Sequence, residues 1–325
     1  MANPLSQPGD RAQSITFTAS LSQRKTLGGL FQLLAWIATV LAIAVLAWLL
    51  VDVAQQGWHR LDWQFLTSFP SRRAAKAGIV APLAGTFWIM IIVALVSFPM
   101  AVGTALYLEE FARDSWFTRL IEININNLAG VPSIIYGLLG LTVFVRIMEP
   151  ITGGRSLIAG ALTLALLVLP IIIVAARESL RAVPDTLRMA GLAMGGSRWQ
   201  VVLAHVLPTA MPGILTGMIL ALSRAIGEAA PLVALGALAF VPFTPGCTKE
   251  FPYFNPGDIL RCPKDLLHST FTAMPIQIFN WVGRPQPAFH DNAAAAIIVL
   301  MIMLLVMNGG AILLRNRSSQ SSGKP

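Results

Sequence analysis

The sequence is short of charge. Only 12% of its 325 residues are Asp, Glu, Lys or Arg, about half the share found in soluble domains. Acids are scarcer than bases, 15 against 23, which leaves a formal net charge of +8. With 55% hydrophobic residues and a mean hydropathy of +0.69, a soluble fold is excluded. Catalytic equipment is also lacking. No G-x-x-x-x-G-K-[ST] loop occurs, so ATP is not bound by that route, and the terminal "SSGKP" is a polar tail. The four histidines, His59, His205, His268 and His290, are scattered and form neither HExxH nor a Ser/His/Asp arrangement. Only two cysteines occur, Cys247 and Cys262, and neither sits in a CxxC pair, which argues against zinc. Lys and Arg form no basic stripe interleaved with aromatics, so nucleic acid is not an expected partner. Ten-residue alternating segments are missing too, which excludes a membrane β-barrel.

What the chain has instead is long apolar runs. A helix needs about 20 apolar residues to cross about 30 Å of hydrocarbon, and six stretches qualify: Gly28–Val51, Gly85–Leu108, Val131–Met148, Leu157–Ala176, Pro212–Ala239 and Ala293–Leu314. The expected fold class is all-α transmembrane, a six-helix bundle. A polar leader of residues 1–26 precedes a first run too long for a signal-peptide core, so an uncleaved anchor is expected. Residues 27–314 then form the membrane domain and 315–325 a polar tail.

Between the fourth and fifth runs lies an arginine-rich loop, 177–211, carrying Arg177, Arg181, Arg188 and Arg198. The positive-inside rule places it in the cytoplasm together with both termini. The long loop 241–292 then lies outside, where Cys247 and Cys262 meet an oxidising compartment. A disulfide closing a loop of about 15 residues contributes about 3 kcal/mol, although two unpaired loop thiols fit the sequence as well.

Within the inner loop, Pro184 and Asp185 suit a helix start. Leu187, Ala190, Gly191 and Met194 recur at i, i+3, i+4 and i+7 as one small apolar face, with Arg181, Asp185 and Arg188 on another. Gly195-Gly196 predicts a turn, and an apolar pattern resumes from Trp199 to Pro208. A helix, glycine turn, helix hairpin follows, suited either to docking in another protein's groove or to lying on the inner membrane face.

This segment resembles the "EAA" coupling loop of ABC importer permeases. The match holds at Ala190, Gly195, Leu207 and Pro208 and departs at Met189, Gly191 and His205, where Glu, Ala and Ile are usual. Together with "AGVPSIIYGLLG" (Ala129–Gly140), "RAIGEAAPL" (Arg224–Leu232) and "FTAMPIQIFNW" (Phe271–Trp281), it makes the chain similar to the permeases of phosphate-specific ABC importers, their A-type subunit above all. The resemblance implies a heterodimer with a C-type permease, a cytoplasmic ATPase dimer and an extracytoplasmic phosphate-binding protein in the inner membrane. ATP and Mg would bind the ATPase, leaving this chain without a cofactor. It also implies that Leu187, Ala190, Gly191, Met194 and Gly195 meet the ATPase.

Arg224 and Glu228 stand inside the fifth apolar run. An arginine at a helix centre costs about 2.5–3.5 kcal/mol on insertion scales. Four residues apart, the two share a helix face with the small residues Gly213, Gly217 and Ala221, so the expectation is an intrahelical pair turned into protein. A salt bridge that fixes helix orientation and an oxyanion path lined by the pair both fit, and the resemblance favours the path. The segment Ser269–Trp281 is apolar but too short to cross and carries Thr272, Gln277 and Asn280, which are candidate gate residues if it is re-entrant. Pro99 and Pro170 are expected to kink their spans. Rival functions are a sulfate or molybdate permease and a stand-alone anion carrier.

Overall fold

The computed structural model describes residues 21–237, 241 and 263–322, so Cys247 and Cys262 lie outside the described residues. The chain divides into two compact units, residues 1–52 and 53–325. Helix α1 (Leu21–Trp58) runs through the described part of the first unit, and its side chains from Leu30 to Val51 are exposed.

The second unit is helical, with no strand among its described residues. On one side of the membrane, the end of α1 is followed by the short α2 (Trp63–Thr67), whose first turn is capped by Asp62 accepting the Phe65 N–H. Arg60 holds this region together. Its Nε donates to Asn292 Oδ1 at 2.8 Å and its Nη2 to the carbonyls of Ala74, Ala75 and Ala77. The spanning helices α3 (Val80–Leu106) and α7 (Leu157–Arg181) follow and make the most extensive pairing in the molecule. Ile89 and Val93 of α3 pack with Leu164, Val168 and Ile172 of α7 in the main apolar core. Pro99 and Pro170 both remain inside these helices without ending them.

Between them the chain forms α4 (Trp116–Ala129), α5 (Ser133–Gly140) and the short α6 (Glu149–Thr152). The third apolar run is not the straight span 131–148 of the sequence reading. Gly130-Val131-Pro132 ends α4, and α5 with its π-helical continuation to Ile147 leaves at 104°. The cause is local: Pro132 lacks an N–H and disfavours helix at the residue before it.

After α7 comes the hairpin of α8 (Asp185–Ala193) and α9 (Arg198–Val201). Gly195 takes φ +86 in the turn, which explains the glycine there. Ser197 and Gln200 then form a capping box that starts α9. A π-helical turn, Val202–Val206, leads into α10 (Leu207–Ile226), followed by α11 (Ala230–Leu235). The side that holds α2 is completed by α12 (Pro263–His268) and α13 (Met274–Val282), with Trp281 packed on Phe65, and the last span is α14 (Pro287–Ser322). Five described helices are long and apolar enough to cross a membrane, and six if the bent α4/α5 pair counts as one span.

Candidate translocation site and coupling surface

Small residues set how α10 lies on α7. A Cβ added at Gly213 would meet Ser179 and one at Gly217 would meet Ala175, so the two helices run antiparallel at backbone contact. Continuing that register places Arg224 level with Val168, near the middle of α7. Of the predicted ridge, Gly217 and Ala221 are buried, while Gly213 touches Ser179 at an exposed position.

The charged pair does not follow the ridge. The fifth run was expected to be one helix from Pro212 to Ala239, but α10 ends at Ile226 and α11 begins only at Ala230. Gly227 and Glu228 close α10 by donating their N–H groups to the carbonyls of Arg224 and Ala225 at 3.1 and 3.2 Å. Pro231 in the first turn of α11 enforces the restart. Arg224 Nε donates to Glu228 Oε1 at 3.3 Å, a contact that bridges the break and is not an intrahelical pair. The Arg224 side chain is 55% exposed and that of Glu228 19%. Arg224 thus leaves the buried ridge and projects from the chain beside Gly227 and Leu220, both exposed.

A second interrupted segment lies against the first. Gly137 of α5 packs on α11, where an added Cβ would come within 2.7 Å of Pro231 Cα and of Ala234 Cβ. Gly140 abuts Thr163 of α7. Two helix breaks, at Gly130–Pro132 and Gly227–Ala229, thus flank one pair of short helices in the membrane.

The candidate gate segment is inserted between α3 and α7. Gly85 leaves room for the Thr272 carbonyl and Gly160 for the Phe271 ring. Thr86 Oγ1 accepts the Met274 N–H at 2.8 Å, which starts α13. Thr272 and Gln277 are buried, and the Thr272 hydroxyl has no hydrogen-bond partner among the described residues. Asn280 is half-buried and its Oδ1 accepts from Arg284.

On the hairpin, the apolar face predicted from periodicity is divided. Leu187 packs inward against Ala176, Leu180 and Val206, and Gly191 lies on Val201, while Ala190, Met194 and Gly195 are exposed. The reason is that α9 folds back over α8 and takes half of that face. The open apolar surface is instead Met189, Leu192, Met194 and Trp199.

Sequence reasoning missed what anchors the hairpin. The π-helical turn Tyr107–Phe111 at the C-terminal end of α3 presents Glu109 and Glu110. Arg177 donates to Glu109 at 2.6 Å and to Glu122 of α4 at 2.5 Å, and Arg181 donates to Glu109 at 3.0 Å. Arg188 of α8 reaches Glu110 with Nε and Nη2, at 3.1 and 2.8 Å. The same guanidinium donates to the carbonyls of Leu180 and Val183, at the end of α7, and to Asp185. The Glu110 side chain is only 4% exposed. Its hydrogen bond drives Arg188 above the usual guanidinium range, against the opposing effect of burial.

Residues 97–317 match the family described as "Binding-protein-dependent transport system inner membrane component". A probable ABC transporter permease protein, YqgI of Bacillus subtilis, is 35% identical over 71% of this chain and 74% of its own length. The phosphate transport system permease protein PstA of Haemophilus influenzae is 34% identical over 65% of this chain and 73% of its own. Among solved structures, a bacterial alginate ABC transporter in complex with an alginate-bound periplasmic protein has a chain similar to this one, with a TM-score of 0.56 and 15% identity over 89% of this chain and 96% of that one. At that identity the likeness is one of fold.

Proposed function

The chain belongs to the family of binding-protein-dependent transport system inner membrane components, and from this premise we propose that it is one of two permease subunits of an ATP-driven phosphate importer. The observation that carries the reading is the interrupted helix. Irregular backbone at membrane depth is tolerated only where protein covers it or water lines it, and here the break displays Arg224 and Gly227 at the chain's surface. A guanidinium held there needs a second subunit or a wet path beside it.

Phosphate suits that group, because a planar guanidinium offers two parallel N–H donors to two oxygens. Glu228 competes for the same guanidinium from 3.3 Å, so the anion is held without being trapped, as permeation requires. The relatives named as phosphate transport permeases support this substrate. The companion subunit is of the C type and faces this chain across Arg224. Thr272, Gln277 and Asn280 belong to the outer gate, and the buried, unpartnered Thr272 hydroxyl supports a second arrangement of that segment.

The exposed patch of Met189, Leu192, Met194 and Trp199, with Ala190 and Gly195 beside it, receives the ATPase. ATP and Mg bind there, on the partner and not on this chain. An extracytoplasmic binding protein delivers phosphate from the opposite side, and both termini of this chain are cytoplasmic. The test is uptake into proteoliposomes holding this chain with the companion permease and the ATPase, ATP enclosed and binding protein added outside. Labelled phosphate accumulates, and unlabelled phosphate competes while sulfate and molybdate do not. Competition by sulfate or molybdate would reassign the cargo, and transport without any ATPase would overturn the importer reading.

A further inference from the structure

The hairpin that receives the ATPase is bound to the membrane helices by two kinds of contact. Towards α3 and α7 the contact is ionic. Arg188 joins Glu110 to the carbonyls of Leu180 and Val183, and Arg177 and Arg181 join α7 to Glu109 and Glu122. The central groups are shielded, with Glu110 4%, Arg177 8% and Glu109 12% exposed. Charge-assisted bonds of this kind are short, directional and costly to break once shielded.

Towards α10 the contact is different. The hairpin continues through the π-helical turn Val202–Val206 and then Pro208, which has no N–H to give the preceding turn. Beyond it α10 meets α7 through Gly213 on Ser179 and Gly217 on Ala175, with no ion pair among the described residues across this contact. The polar ties of α10 run instead to the last span. Ser223 donates to Asn308 at 2.8 Å and Arg315 to Thr216 at 3.2 Å. Nearer the hairpin, Val202, Val206, Ala210 and Ile214 pack with Ala176 and Leu180 in one apolar core, and ionic locks on one face with non-directional apolar packing on the other are the conditions for one body to slide past another as a unit.

We propose that the Glu110–Arg188 pair locks α8 to the inner ends of α3 and α7 throughout the transport cycle, so that ATPase motion moves these elements as one block, which slides against α10 and α14. Arg188 and Glu110 are positioning residues: neither touches the anion, and both decide whether ATPase work reaches Arg224. This inference rests on the importer reading above. If that reading fails, wild-type protein does not transport; if only this inference fails, wild type transports and the variants below behave otherwise than expected.

The test uses the assembled importer with Cys247 and Cys262 replaced by serine. In E110C/R188C, the unlinked protein retains ATP hydrolysis and bound ATPase but imports about tenfold less phosphate per ATP, the scale of a coupling free energy between sites. A short, reducible thiol-to-thiol linker between the two cysteines restores import, and reduction removes the gain. S179C/G213C, in which an added Cβ at 213 lies 3.0 Å from that of residue 179, about half an ångström inside the usual disulfide spacing, does the reverse relative to S179A/G213A, which controls for crowding by the added Cβ: it transports as that control does when reduced and stops when oxidised to the disulfide. Normal coupling in unlinked E110C/R188C, or lost transport on linking it, overturns the proposal. So does continued transport by oxidised S179C/G213C, which decides the matter even if E110C/R188C fails to assemble.

Discussion

Glutamine at position 224 keeps hydrogen-bonding capacity and removes the charge, so it isolates what the guanidinium contributes. A charge-assisted hydrogen bond contributes about 1.5–3 kcal/mol, and R224Q is expected to lower phosphate uptake about ten- to a hundredfold while the complex still assembles. Uptake rates with copurified ATPase as the assembly control check this. Gly85→Val tests a different kind of residue. Its side chain would collide with the Thr272 carbonyl, and the strain of such overpacking is about 1–3 kcal/mol; thermal unfolding of the purified complex should shift down accordingly. Arg224 and Glu228 were legible in the sequence because charge inside an apolar run stands out. Glu109 and Glu110 were not, because carboxylates at the end of a span look like ordinary interface residues. Their arginine partners lie 68 to 78 residues away, a pairing that one sequence cannot reveal.

At the scale of elements, the two broken segments depend on the fit of α5 against α11. Leucine at Gly137 has no room beside Pro231 and Ala234, so G137L should separate the short helices and abolish uptake while the hairpin, distant in the chain, still binds the ATPase. Copurification together with uptake distinguishes that outcome from general misfolding. The hairpin gives the converse prediction. Aspartate at both Met194 and Trp199, which are 88% and 54% exposed, should release the ATPase with helix content by circular dichroism unchanged. Six spans and the hairpin with its glycine turn were readable from hydropathy and periodicity. The breaks were not, although Gly130, Pro132, Gly227 and Pro231 marked them: apolar residues on both sides of Gly227 kept the hydropathy continuous, and Asn124, Asn126 and Asn127 made the stretch before Gly130 look like an interface segment. Periodicity also assigned Leu187 and Gly191 to an open face, because it cannot foresee that α9 covers half of α8.

Considered as a whole molecule, the chain joins the hairpin and the broken helix through α7, at its C-terminal end and at its middle. Its C-terminal end is tied to α8 through Arg188 and to α3 and α4 through Arg177, where, in the proposed cycle, ATPase work arrives. Its middle lies level with the broken helix that carries Arg224. The chain alone leaves that broken helix displayed, which is why the proposed importer includes a second permease subunit. The most direct measurement of the central claim is the reactivity of R224C, in a background lacking Cys247 and Cys262, toward a membrane-impermeant thiol reagent in the assembled importer. The account predicts modification from one side of the membrane in the resting state and from the other when ATP is bound and hydrolysis blocked. A thiol that stays unreactive from both sides in both states would contradict it, because position 224 would then face lipid or dry protein and not a path for an anion.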